Sequence, residues 1–262
     1  PWQCTLFDKY QIEICTSVND LTDDWDTFAT KHEPQFCKKI IGIAEIAALA
    51  DFSYYYVSVK DDKSIIGLLY FQSIVVRKDY YPDFSNLSFA AKNLYCLISS
   101  HNYNLLVNGH IFSTDIPGAV VAKNNTPIED LTSIFEKVVL KVKRASCSSI
   151  FIIKDAHPFL QKQLLKSGNK YKIMPDDVLM EMSIPKTWQN IDDYIDALSK
   201  KYAVRAKKLE ESISRFELID FSEQQIIENK EVLHALYMNV ISRSSFKMGV
   251  LNMSFFAGLK KG

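Results

Sequence analysis

No C-x-x-C pair occurs in the 262 residues, and the five cysteines (Cys4, Cys15, Cys37, Cys96 and Cys147) are odd in number and widely spaced. That spacing argues against a disulfide or zinc framework and points to reduced thiols in a cytoplasmic protein. Charge of either sign is not in excess, since 31 Lys and Arg balance 31 Asp and Glu. The general attraction that draws proteins to DNA or RNA is therefore missing, so no DNA partner is expected and any anion site must be local. Long apolar runs are missing too. The longest, IIGIAEIAALA at 40–50, is broken by Glu45; it is too short for a bilayer and its spacing suits a core-facing helix, so no membrane span is expected. His32, His101, His110, His157 and His234 are scattered without an H-E-x-x-H, and no metal site is expected. SSHNYN at 99–104 offers serine and histidine but no nucleophile elbow, which argues against a hydrolase triad.

What remains is an ordinary globular mixture, 47% hydrophobic and 24% charged, long enough to bury a full core. QIEICTS (11–17) alternates as a strand, and the acidic segment NDLTDDWDTFATKH after it predicts a helix capped by Asn19 or Asp20. Two β-rich runs on either side of KDDKS predict an antiparallel hairpin over 54–76. NYNLLVNGHIFS reads as a strand ending near Gly109, and GAVVA as another. Residues 126–145 predict a helix with Thr126 as cap, Pro127 at its first position, and Ile134, Phe135, Val138, Val139 and Val142 on one face. SSIFIIKD then predicts a short buried strand, HPFLQKQLLKSG a helix closed by Gly168, and YKIMP and DVLMEMSIP two more strands. The fold class is α/β (α+β), with a mixed, mostly antiparallel central sheet flanked by helices.

From Ile191 the apolar positions Tyr194, Ile195, Leu198, Tyr202, Ala206, Leu209, Ile213 and Phe216 form one stripe at steps of three and four, which predicts a single long helix packed on that face. At about 100° per residue, Lys201, Arg205 and Lys208 lie along one edge of the stripe, while Lys200 and Lys207 face away and read as a solvated surface. Arg205, about 50° from the centre of the stripe beside Tyr202, would be partly desolvated and so would require an anion. Two anions suit it: an Asp or Glu of the first domain, or the phosphate or carboxylate of a ligand at the domain junction with Lys201 and Lys208 alongside. RFELIDF predicts a further strand, SEQQIIENKEVLHALYMNVISRS a helix capped by Ser222, and SFKMGVLNMSFFAGLKKG an element whose partners are not in these residues.

TWQNIDDYIDALSKKYAVRAKK (187–208), followed by VLHALYMNVISRSSFKMGVLNMSFFAGL (232–259), resembles the FemAB-like branch of the GNAT acyltransferase superfamily. The hairpin, the strand LLVNGHIFS, the helix from Thr126 and the strand IFIIKD resemble the element order of a GNAT domain. The resemblance implies a GNAT-like domain over 1–185, then a connecting helix and the start of a second, incomplete GNAT-like domain over 186–262. It implies transfer of an acyl or aminoacyl group from acetyl-CoA, another acyl-CoA or an aminoacyl-tRNA to a small-molecule or peptidoglycan-precursor amine, in a bacterial enzyme. A backbone N–H at a splayed central strand would polarise the carbonyl.

The glycine-rich loop that cradles the CoA pyrophosphate in such enzymes is absent here. Its place reads VVAKNNTPIEDL, without glycine and with Pro127 removing a donor. The donor loop is then expected in the second domain, and a non-catalytic GNAT-fold binding or scaffold protein is the alternative. Arg205, Lys201, Tyr202 and Lys208 are the candidate anion-binding residues. Asp155 in IIKDAHP and Asn108 on the acceptor-side rim LVNGHIFSTDIPG are candidates at strand ends; a turn and helix-start role suits Asp155 better, and a Gly-bounded loop suits the rim better. No catalytic base stands out.

Overall fold

The computed structural model describes residues 2–6, 9–62, 64–77, 103–113, 116–122, 128–156, 158–166, 171–173, 182–244 and 249–261. They divide into two units: Pro1–Tyr171 with Ser222–Gly262, and Lys172–Phe221.

The first unit is built on one sheet. Strand β1 (Trp2–Leu6) pairs with β2 (Tyr10–Cys15), β2 with β3 (Phe52–Asp61), β3 with β4 (Ser64–Val76) and β4 with β5 (Tyr103–Asn108), all antiparallel. The short β6 (Ala119–Val121) also pairs with β4, and β7 (Ile150–Ile153) joins β5 in parallel. The mixed, mostly antiparallel sheet expected from the sequence is what forms. Its hairpin turns where KDDKS breaks the apolar run, with Asp61 opposite Ser64.

Both faces are covered. On one, Tyr54, Tyr56, Leu68 and Tyr70 pack against Trp25, Phe28, Phe36, Ile41 and Ala44. These come from α1 (Asp23–His32), the single turn Pro34–Phe36 and the turns α2 (Lys38–Ile41) and α3 (Ile43–Ile46). On the other, Tyr55, Val57, Phe71 and Leu106 meet Ile134, Phe135, Val138, Val139 and Val142. Those five lie on α4 (Ile128–Ala145), the face that the helical spacing marks; Thr126 and Pro127 lie outside the described residues. The helix α5 (Pro158–Lys166) adds Leu164, while Gly168 lies outside the described residues.

Several expectations differ from what forms. Ser17, not Asn19 or Asp20, captures backbone first: it caps a single turn at Val18–Asp20, and α1 starts only after Thr22. IIGIAEIAALA makes two short turns meeting at Gly42 instead of one helix. Strand β7 is not fully buried, because among the described residues only β5 pairs with it and Ile150 is exposed.

Part of the C-terminal segment finds cover within these residues, while Val232, Leu236, Val240 and Leu259 stay exposed. Ser222 caps as expected, in a reciprocal capping box with Gln225, but the helix breaks at Asn229 into α8 (Glu223–Glu228) and α9 (Lys230–Ile241). Helix α10 (Met253–Lys261) then buries Phe255 in the first core, and Asn252 Nδ2 donates to the Ala47 carbonyl at 2.6 Å. The boundary therefore differs from the expected one at 185: 222–262 packs with the first unit because its apolar residues find the α3 corner.

In the second unit, one long helix becomes two, α6 (Ile191–Ala197) and α7 (Lys200–Ile213). Leu198 and Ser199 between them are extended, with ψ of 153° and 150°. Asn190 and Asp193 form a capping box at the start of α6, and Trp188 sets its edge against Tyr194, ring centroids 5.6 Å apart. No residue of α7 is buried, so the apolar stripe is not packed along its length. Residues 171–173, 182–185 and 215–221 form no strands; the rest of YKIMP and DVLMEMSIP lies outside the described residues. Among the described residues no helix is long and apolar enough to cross a membrane.

Candidate functional site at the ends of the parallel strands

Parallel strands end together, and in α/β sheets ligands gather beyond their carboxyl ends. Here the pair is β5 and β7, in register from Leu105 opposite Ile150 to Asn108 opposite Ile153. One more backbone bond, Lys154 N–H to the Asn108 carbonyl at 2.9 Å, continues the ladder past the last pair. No splay opens between the strands along this length.

Asn108 is completely buried. Its Nδ2 donates to the Tyr70 carbonyl at 3.0 Å and to the Gly118 carbonyl at 2.7 Å, tying β5 to β4 and to the approach of β6. Its Oδ1 has no hydrogen-bond partner among the described residues. The acceptor-side rim expected around Asn108 is thus a buried cross-tie, because both amide hydrogens are committed to backbone carbonyls. Gly109 follows with φ of 124°, a conformation that suits glycine, and a side chain there would press on Lys154.

That turn sends His110 inward. Its ring is 2% exposed among Tyr70, Phe112 and Phe255, and Nδ1 has no partner among the described residues. Burial, helped by the positive charge of Lys154, lowers its pKa from 6.5 to about 4. An imidazole held so far below neutrality is too weak a base to accept a proton from an ammonium ion. Beside it, Gln72 is fully buried, donating from Nε2 to the Tyr70 hydroxyl at 3.0 Å and accepting Ile111 N–H on Oε1 at 2.6 Å. The Tyr70 hydroxyl in turn donates to the Ile41 carbonyl at 3.2 Å.

Lys154 closes the end of β7. Its ammonium donates to the Ser113 carbonyl at 2.8 Å and pairs with the Asp155 carboxylate. Asp155 has φ of +50°, an αL turn residue, and its negative charge is already matched by Lys154. Asn108 and Asp155 therefore share one end of the sheet. His110, Gln72 and Tyr70 complete that end and were not singled out from sequence; the signal was Asn-Gly-His directly after a strand. Among the described residues no three His, Cys, Asp or Glu side chains converge as a metal site requires.

Comparison of the chain with protein-family models and with curated proteins finds no match in either. The site is read from its own geometry.

The basic edge of α7 lies in the other unit. Lys201, Tyr202, Arg205 and Lys208 are all exposed. The Arg205 guanidinium sits over the Tyr202 ring, 5.8 Å from its centroid. Within this unit no carboxylate among the described residues lies at ion-pair distance from Arg205. Arg205 is exposed, so nothing within this unit imposes the burial that would have required an anion. Arg205→Ala is then expected to change the urea midpoint by no more than about 0.5 kcal/mol in stability, the range of an exposed residue with one cation–π contact. A loss of about 2 kcal/mol or more would mean that the side chain has a buried partner.

Proposed function

We propose that this protein is an N-acyltransferase of the GNAT type, passing an acyl or aminoacyl group to an amine acceptor of the cell-wall precursor class. The observation that carries the reading is the order of the sheet. An antiparallel run from β1 to β5 is followed by a helical crossover through α4 to a parallel strand, β7. From β3 onward this is the order that the resemblance of the hairpin, LLVNGHIFS, the helix from Thr126 and IFIIKD implies, and it supports the reading through fold alone.

The residues of the first unit do not fit coenzyme A. The segment before α4 has no glycine and carries Pro127. The β5–β7 ladder is closed where a thioester arm would need an opening. No step is therefore derived through coenzyme A here; in this reading the first unit is the acceptor-side scaffold and the donor binds elsewhere. The same two observations favour a second reading, a GNAT-fold binding protein without catalysis.

Calorimetric titration of the full-length protein with acetyl-CoA separates them. The transferase reading expects saturable binding, weakened in the Arg205→Ala variant if α7 borders the donor. Absence of binding by the wild type overturns the acyl-CoA form of the proposal and leaves an aminoacyl-tRNA donor or the binding-protein reading.

A further inference from the structure

A second polar centre lies on the opposite side of β3 from α4, away from the β5–β7 end. The corner formed by the end of β2, α3 and the start of β3 borders an open cleft of about 370 Å³, lined by Thr16, Glu45, Leu49, Phe52, Ser53 and Tyr54 among others. That volume suits a small molecule. Its one charged wall is Glu45.

The Glu45 carboxylate is held rigidly. Ser17 donates its hydroxyl to Oε1 at 2.7 Å, while Val18 N–H and the Tyr56 hydroxyl donate to Oε2 at 2.9 and 2.7 Å. Each carboxylate oxygen accepts about two hydrogen bonds. Oε2 is thus filled and Oε1 keeps one position open. All three donors are neutral, and no Lys, Arg or His among the described residues pairs with this carboxylate. The half-buried carboxylate is thus oriented by neutral donors alone, with no cationic partner among the described residues.

The aromatic neighbours point to the sign and shape of what would compensate it. Phe52 and Tyr54 stack with centroids 6.3 Å apart and planes 17° from parallel. Tyr54 is 6% exposed, and its buried hydroxyl has no hydrogen-bond partner among the described residues. Burial and the nearby Glu45 charge both push its phenol up, so it stays neutral and adds no counter-charge. An anion would be repelled by Glu45, and a neutral ligand would leave the charge unmatched. A carboxylate beside aromatic rings fits an ammonium head on an apolar stem.

We propose that this cleft binds a primary ammonium group, with Glu45 Oε1 accepting one of its N–H bonds and the Phe52 and Tyr54 rings flanking its carbon stem. Naming that amine the acyl acceptor rests on the transferase reading; the binding does not. The test is an NMR titration of the full-length protein with benzylamine and with its neutral isostere, benzyl alcohol. Benzylamine is expected to saturate and to bind at least about tenfold tighter than the alcohol, the worth of one charge-assisted hydrogen bond. Glu45→Gln, folded by circular dichroism, is expected to erase that ratio. Equal binding of the two probes to the wild type, or no saturation by the amine, overturns the proposal without any variant, so an unfolded Glu45→Gln leaves the outcome decided. Failure of acetyl-CoA to bind would not alter the ratio, which keeps the two proposals separable.

Discussion

Acidifying the protein from pH 7 to pH 4 is expected to remove about 3 kcal/mol of stability from the sheet unit through His110 alone. The ordinary histidine value is 6.5 and burial with Lys154 nearby lowers it to about 4. Each factor of ten in proton affinity is worth about 1.4 kcal/mol, so that gap amounts to roughly 3 kcal/mol. Between those two values the unfolded chain binds a proton that the folded chain refuses. Stability from this residue is therefore complete above pH 6.5 and lost as the pH falls towards 4. Carboxylates elsewhere also titrate near the lower limit, so the decisive measurement is a difference. Urea midpoints of the wild type and of His110→Phe are followed over that range. Phenylalanine suits the ring cluster of Tyr70, Phe112 and Phe255 and leaves no unpartnered nitrogen. The variant's profile should be flatter by about 3 kcal/mol; superimposable profiles would show that the imidazole is not sealed.

Gly118→Ala is expected to cost at least about 3 kcal/mol, from overpacking plus lost hydrogen bonds. A methyl group there would stand 2.5 Å from the backbone carbonyl carbon of Asn108 and would overlap its side chain. Backbone cannot give way as a flexible side-chain tip does. Gly118 also accepts Tyr70 N–H on its carbonyl at 2.9 Å together with Asn108 Nδ2, so relieving the overlap breaks the tie between β4, β5 and the approach to β6. Asn108→Ala in the same background removes the side-chain part of the overlap. A double-mutant cycle should then show the two changes coupled, with the cost of Gly118→Ala smaller but not abolished. A cost below about 1 kcal/mol in the wild type would mean that the close approach is not made.

These two positions also mark where sequence reading runs out. The hairpin was legible because KDDKS interrupts two β-rich runs, and α4 because Ile134, Phe135, Val138, Val139 and Val142 repeat at helical steps. Both patterns are local and carry their own evidence of period. Asn108 and His110 are polar residues beside a glycine, which locally reads as an exposed loop; their burial comes from β4, α10 and Lys154, brought from far along the chain. RFELIDF failed for a related reason. Alternation favours a strand only when a neighbouring strand offers hydrogen bonds, and among the described residues none pairs with Arg215–Phe221, where Leu218 is 90% exposed. The break in the long helix was visible in principle, since Ser199 directly precedes Lys200 and serine is a favoured helix start, but the continuous apolar stripe concealed it. The basic edge lies on the exposed surface of α7, and the stripe that suggested partial burial of Arg205 is not packed within that unit.

Asn252 reaches back to Ala47 across 205 residues, and Phe255 completes a core begun by Trp25 and Phe36. During synthesis at about 5–20 residues per second, roughly 10–40 s separate the emergence of that corner from the arrival of its lid. Throughout that interval Ala44, Ala47 and Leu49 stand without their last cover. That corner therefore stays uncovered until Asn252 and Phe255 arrive, and the yield of folded protein should respond to translation speed anywhere in the 205 residues between them.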